Sequence, residues 1–253
     1  MSIQNSELIL NPDGSVYHLN LKPEHIANDI IFVGDQNRVE KITKHFDSID
    51  FTTQKREFKT TTGSYKGKKL TVISTGIGPD NIDIVMNELD ALVNINLKTR
   101  QVKSNLTSLN IVRIGTSGSL QNTIPVDSFV LGTHGLDLNG MIHSYKIDHI
   151  SLHELEEAFV KHTNWSSKKS YPVIVACDVD LERKLESIKT YKGITATAGG
   201  FYGPQGRVLR LAIQDPDLNQ KIDSFNYNGI FVSNLEMETS AIYTMAKLLG
   251  HKA

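Results

Sequence analysis

The feature that most constrains this chain is a repeated alternation of short apolar runs, rich in β-formers, with segments whose apolar residues recur at helical spacing. "DIIFVGD" (29–35) predicts a buried strand, and Asp35 stands where it can N-cap a helix over 36–45. "KLTVISTG" (69–76) predicts a second strand. Pro79 then opens a helix whose Ile82, Val85, Met86, Leu89 and Leu92 form one stripe for the face of a sheet. "LNIVRIGTS" (109–117), "DSFVLGT" (127–133), "YPVIVACD" (171–178) and "GIFVSNLEME" (229–238) predict further strands, and helical patterns occupy 151–162, 181–188, 217–225 and 237–250. Such alternation specifies an α/β fold with a parallel or mixed sheet between helices. The Thr-rich alternation of "FTTQKREFKTTTGSYKGKKL" around Gly63-Ser64 suits antiparallel strands and makes the sheet mixed. The polar "NLKTRQVKSNLTSL" predicts a surface excursion. No Gly/Ser-rich or Pro-rich linker interrupts the chain, so residues 1–253 are expected to form a single domain.

Open α/β sheets bind ligands beyond the carboxyl ends of their strands, and here those ends are polar or rich in glycine: "VGDQNR", "STGIGPD", "RIGTSG", "GGFYGPQGR" and "NLEMETS". No GxGxxG and no GxxxxGK[ST] occurs, which argues against a dinucleotide fold or a P-loop. With 27 basic and 28 acidic side chains, overall charge gives no reason to expect nucleic acid or an anionic membrane as partner, so anion recognition must come from local clusters. No run approaches the roughly 18 apolar residues of a membrane span, and the single cysteine, Cys177, cannot form an intramolecular disulfide. A cytoplasmic location is expected. Cys177 lies within "PVIVACD", where a small core residue is a plainer reading than a nucleophile.

Several strand ends carry chemistry. Gly34 at a strand exit, with Arg38 one helical turn on, suits an oxyanion such as phosphate, though an exposed helical arginine reads the same way. Arg113 sits inside an apolar strand and needs an anionic partner, either a ligand or an internal carboxylate. Thr116, Ser117 and Gly118 follow with hydroxyl and backbone donors. Glu236 and Glu238 flank Met237 at a strand-to-helix junction. Paired carboxylates fit the hydroxyls of a ribose, a divalent metal or glycoside chemistry, while an acid complementing the helix dipole explains Glu238 better than Glu236. In "GFYGPQGR", Gln205 offers a donor and an acceptor and Arg207 only donors. They can match a pyrimidine edge with one N–H between two carbonyls, walled by Phe201 and Tyr202.

In this order and spacing the motifs resemble those of the nucleoside phosphorylases of the purine nucleoside and uridine phosphorylase type, the uridine branch most closely. That family's G-D-P-x-R stands here as Gly34 to Arg38 with Gln36 in place of proline, and its R-E-F as Arg56 to Phe58. Its S-T-G-I-G is Ser74 to Gly78, its R-x-G-T-[TS]-G is Arg113 to Gly118, its N-x-E-M-E is Asn234 to Glu238, and the uridine branch's F-Y-x-x-Q-x-R is Phe201 to Arg207. The resemblance implies a three-layer αβα sandwich around a twisted mixed sheet. It also implies phosphate-dependent cleavage of a pyrimidine nucleoside, with inorganic phosphate as co-substrate and neither cofactor nor metal. A purine or broad-specificity phosphorylase, a nucleosidase and a non-catalytic nucleoside-binding relative are the rival readings. By carry-over, Arg38, Arg56, Arg113 and Thr116 bind phosphate together with Gly34, and Phe201, Gln205 and Arg207 hold the base. The ribose falls to Glu236, Met237 and Glu238, with His18 on its 5′-hydroxyl. Arg38, Arg113, Thr116 and Arg207 form the expected catalytic set. The family assembles as dimers or hexamers in which Arg56 and His18 serve the neighbouring subunit. Its members continue past the helix that ends this chain with a strand, a loop and a terminal helix, so the native protein is expected to extend beyond Ala253.

Overall fold

A computed structural model describes residues 2–186 and 189–253, and the chain divides into two compact units: one runs to Gly115 and takes in Leu249–Lys252, the other comprises Thr116–Leu248 with Ala253. The first unit contains β1 (Asp29–Val33), α1 (Gln36–Thr43), β2 (Ser48–Lys55), β3 (Phe58–Tyr65), β4 (Lys68–Ser74), α2 (Pro79–Asn94), β5 (Ile95–Asn96), β6 (Gln101–Val102) and β7 (Asn110–Arg113). Its main sheet has the order β2-β3-β4-β1-β7. β1 runs parallel to both β4 and β7, whereas β2, β3 and β4 are joined antiparallel, so the sheet is mixed as the Thr-rich segment predicted.

The turns of that antiparallel ribbon fall at Arg56-Glu57 and Lys66-Gly67, and Gly63-Ser64 lies within β3, paired to Leu70 and Lys69. The reason is local: Arg56, Lys66 and Gly67 take positive φ (54°, 49° and 76°), which reverses the chain, while Gly63 stays extended. α1 seats Val39 against Val33 and Val72 of the sheet, with Asp35 accepting from Asn37 N at 2.9 Å as its N-cap. On α2 the predicted stripe of Ile82, Val85, Met86, Leu89 and Leu92 is wholly buried. The polar excursion is a small antiparallel hairpin, β5 with β6. Lys252 lies alongside β7, donating to Leu109 O and accepting from Ile111 N, both at 2.8 Å.

The second unit contains β8 (Gly118–Ser119), β9 (Val130–Asp137), α3 (His153–Thr163), β10 (Val173–Ala176), α4 (Val179–Leu185), β11 (Tyr191–Thr197), α5 (Leu218–Asp223), β12 (Asn226–Tyr227), β13 (Ile230–Glu236) and α6 (Thr239–Leu249). Its sheet has the order β10-β9-β11-β13-β12, with β8 also on β13; β9, β11 and β13 are parallel and the outer strands antiparallel. The mixed α/β character predicted from sequence is present, with the strands distributed over separate sheets. The core of this unit gathers Leu136, Ile174, Ile194, Val232 and Leu235 from the strands against Leu155, Phe159, Leu218 and Ile222 from α3 and α5. β9 begins three residues later than the apolar run suggested and continues to Asp137. Asp127 adopts a left-handed φ of 65°, which keeps the start of that run out of the ladder. Of the helix expected over 181–188, Ser187 and Ile188 lie outside the described residues. Among the described residues no helix is long and apolar enough to cross a membrane, and no group of His, Cys, Asp or Glu could hold a metal ion.

Candidate active site

In the first unit, the candidate anion residues sit at the carboxyl ends of three neighbouring parallel strands. Gly34 follows β1, Ser74 to Gly76 follow β4 and Arg113 closes β7, pairing with Phe32. Thr75 N donates to Val33 O at 2.8 Å, which holds two of these ends together. Arg113 turns its guanidinium back over Gly115: a Cβ there would stand 2.1 Å from Arg113 Nη1, so a side chain at this position would displace the guanidinium. Arg38 lies in the first turn of α1, where the helix N-terminus adds a positive field.

Arg56 occupies the β2–β3 turn. Gln36, at the start of α1, donates from Nε2 to Arg56 O at 2.5 Å, and its Oε1 accepts from Gln54 Nε2 at 3.1 Å. The glutamine that stands where the family motif has proline thus ties the turn carrying Arg56 to the helix carrying Arg38. The Arg56 guanidinium lies 5.9 Å from the Tyr17 ring, on which Lys55 Nζ also sits at 4.4 Å, and the adjacent His18 ring meets Tyr17 edge-on at 4.8 Å. The structure therefore brings together Arg56 and His18, the two residues expected to act on a neighbouring subunit. His18 is held by Glu88 of α2, a residue that no local pattern singles out because it lies 70 positions away.

The second unit carries the other candidates. Thr116 is exposed at its start, just before β8. "GFYGPQGR" forms a 3-10 turn over Gly203–Gln205 that ends on Gly206, whose φ of 71° carries the chain out of the turn. Gln205 is 3% exposed. Arg207 Nη1 donates to Phe201 O at 2.7 Å and to Gln205 Oε1, with the guanidinium 4.1 Å from the Phe201 ring centroid. Phe201, Gln205 and Arg207 are thus one contiguous group, with Gly118 beside Arg207 Nη2. Arg207 also lines a cavity of about 850 Å³ together with Trp165, Tyr202, Pro204 and Leu218, within the size range of small-molecule sites.

At the β13–α6 junction Glu236, which the helix-dipole reading explained less well than Glu238, is the acid that accepts from the free N–H groups at the helix start. Its carboxylate accepts from Glu238 N at 2.9 Å and from Thr239 N at 3.0 Å, and Thr197 Oγ1 donates to it at 2.7 Å. The carboxylate of this last strand residue lies over the first free N–H groups of the helix and satisfies two of them. Met237 is half-buried and Glu238 buried between this cap and α6. Thr197 accepts from Ser240 N at 2.9 Å, and Ser240 Oγ donates to Asp137 Oδ1 at 2.9 Å. Burial pushes the Asp137 carboxyl above its ordinary value, opposed by the hydrogen bond from Gly140 N. Asp137, Thr197 and Ser240 were not indicated by sequence; Asn234 was, as part of its motif, and it donates to Ser117 Oγ at 2.9 Å and accepts from Thr195 Oγ1 at 2.9 Å. Burial, with Glu182 beside it, raises the Cys177 thiol to about 11, which favours the plainer reading of a small core residue.

Residues 29–253 match the family model of the Phosphorylase superfamily. The uridine phosphorylase of Haemophilus influenzae is 30% identical over 255 residues, covering 94% of this chain and 82% of that protein. The uridine phosphorylase of Thermococcus kodakarensis is 28% identical over 251 residues, covering 95% and 75%. A DeoD-type purine nucleoside phosphorylase of Listeria welshimeri is 25% identical over 237 residues, covering 93% and 82%. Among solved structures, the nucleoside phosphorylase of Trypanosoma brucei, described as showing uridine phosphorylase activity, superposes with a TM-score of 0.86 at 29% identity, covering 97% of this chain and 88% of that one. The strand ends, the Gln205–Arg207 pair and the capped β13–α6 junction therefore stand within the α/β fold of the nucleoside phosphorylases, and the chain belongs to the Phosphorylase superfamily.

Proposed function

We propose that the chain cleaves the N-glycosidic bond of a pyrimidine nucleoside with inorganic phosphate, converting uridine and phosphate to uracil and ribose 1-phosphate. The observation that carries this reading is the order of polar groups along the Gln205–Arg207 edge. A guanidinium N–H only donates, so its bond to Gln205 Oε1 orients the amide with oxygen toward Arg207 and NH2 away. The edge then runs donor, acceptor, donor. Uracil presents the complement: O2, N3–H and O4. Cytosine has an acceptor at N3 and an amino group at C4, and hypoxanthine has a C–H between its ring nitrogens, so both leave a polar group of the edge unmatched. The uridine phosphorylases among the relatives support the same choice.

In this mechanism a phosphate oxygen forms the new bond to ribose C1′ as the bond from C1′ to the base nitrogen breaks, and the departing electron pair spreads onto the uracil carbonyls. Arg38, Arg113 and Thr116 with Gly34 neutralise and aim the phosphate, and Arg56 serves a neighbouring copy. Donors from Arg207 and Gln205 strengthen as charge develops on the base, each worth roughly 3 kcal/mol in the transition state, so no protein acid is required. Met237 and Glu238 hold the ribose hydroxyls, and His18 reaches the 5′-hydroxyl across a homo-oligomer interface. Neither a metal nor any cofactor beyond phosphate takes part.

Incubation with uridine, thymidine or inosine, with and without phosphate, tests the reading by release of free base. Uracil release that requires phosphate is expected. Release without phosphate would make the protein a nucleosidase, cleavage of inosine alone would make it a purine enzyme, and no cleavage would leave a binding role.

A further inference from the structure

We infer that Glu88 is a positioning residue that fixes the ring tautomer and orientation of His18, so that His18 presents an acceptor nitrogen to the sugar 5′-hydroxyl. The inference deepens the function proposed above and rests on it. Glu88 lies on α2, with 14% of its side chain exposed, and it receives the N-terminal arm through three separate donors. His18 N donates to Oε1 at 2.9 Å and to Oε2 at 3.1 Å, Leu19 N donates to Oε2 at 2.8 Å, and His18 Nδ1 stands 2.7 Å from Oε1.

A carboxylate can only accept, so the Nδ1 contact requires the proton on Nδ1, and in the neutral ring Nε2 then carries the free lone pair. The two backbone donors fix the arm and the ring donor fixes the imidazole, so one side chain determines where Nε2 stands and what it can do. His18 remains 27% exposed, which leaves the ring reachable by a ligand. Leu19 and Leu21 are fully buried and anchor the arm on the other side of the histidine. Partners that orient a metal-ligating histidine change its performance by about 10–100-fold, and an effect of that order is expected where Glu88 orients His18.

Glu88→Gln keeps one oxygen for the backbone N–H groups and turns an NH2 toward Nδ1, which moves the ring proton to Nε2. Uridine and 5′-deoxyuridine are compared in phosphate, in the full chain. Glu88→Gln is expected to lower kcat/KM for uridine by about 10-fold or more and to leave that for 5′-deoxyuridine nearly unchanged. An equal fall for both substrates, or no fall for uridine, overturns the inference. Ring-nitrogen NMR shifts of His18 at about pH 8, where an ordinary histidine is neutral, give a readout independent of turnover. Nδ1–H is expected in the unsubstituted protein and Nε2–H in the variant, and Nε2–H in the unsubstituted protein overturns the inference. Adding Glu88→Gln to His18→Ala should have no further effect on uridine, and an additional loss would show that Glu88 acts elsewhere. If the unsubstituted protein fails to cleave uridine, the proposed function falls, and the nitrogen shifts still decide the part played by Glu88.

Discussion

Replacing Glu236 with alanine removes the acceptor of three donors at once: Glu238 N, Thr239 N and Thr197 Oγ1. Glu238 is 4% exposed and Thr197 fully buried, so bulk water does not reach either donor in the folded chain. An unsatisfied buried donor costs about 1–3 kcal/mol, and loss of an N-cap alone costs about 0.5–2 kcal/mol. Thr239 N lies closer to solvent and recovers part of its bond. The three together place Glu236→Ala about 3–4 kcal/mol below the parent. Glu236→Gln retains one acceptor oxygen and should lose about half as much. Urea unfolding followed by circular dichroism measures both; in thermal melts the alanine variant should fall by about 10 °C, at roughly 2–4 °C per kcal/mol for a chain of this size. An alanine variant within about 0.5 kcal/mol of the parent would refute the assignment of the cap to Glu236. The same variant should raise KM for nucleoside more than KM for phosphate, because Met237 and Glu238 lose the anchor beneath them.

Gln36→Ala unties the Arg56 turn from α1 and should raise KM for phosphate about 5–10-fold, the size of one lost hydrogen bond, with KM for uridine unchanged; initial-rate kinetics with each substrate varied in turn give the answer. Burial lowers the pKa of His134 below 6.5, so its unfolded form gains a proton first as pH falls. Its contribution is therefore fully present above pH 6.5 and is lost as pH falls through the folded value, and His134→Gln should flatten this slope in melts taken across that window. With its thiol raised from 9.0 to about 11, Cys177 should react with iodoacetamide about a hundredfold more slowly than an ordinary thiol under mildly alkaline conditions, and rapid labelling of the folded protein would contradict the assignment.

Much of the fold was legible because β1, β4 and α2 bury clean apolar patterns, and the strand ends were legible because each run stops at a glycine or a charge. β9 was harder to delimit, and β11 (Tyr191–Thr197) was not predicted at all. Between them lie Gly132 and Gly193, where added Cβ atoms would press on Thr195 Oγ1 at 2.6 Å and on Phe231 O at 2.9 Å. Strands packed this closely use small residues and give little hydrophobic signal. The candidate base-reading residues Gln205 and Arg207 could be named from spacing, since two positions on one turn stay together in space. The partners of other candidates could not: Glu88 holds His18 from 70 positions away, Thr197 holds Glu236 from 39, and which acid caps α6 depends on the direction a strand-end side chain takes. Gln36 was visible as a departure from the motif, and its bond to Arg56 became visible only when the β2–β3 turn was seen to fall beside α1.

The most direct test of the account is the ratio of kcat/KM for uridine to that for 3-methyluridine, cytidine and inosine at fixed, saturating phosphate. The donor–acceptor–donor edge of Gln205 and Arg207 predicts uridine ahead of each by about 10²-fold or more, with the advantage abolished in Gln205→Ala. Comparable turnover of uridine and 3-methyluridine, or of uridine and inosine, would contradict it.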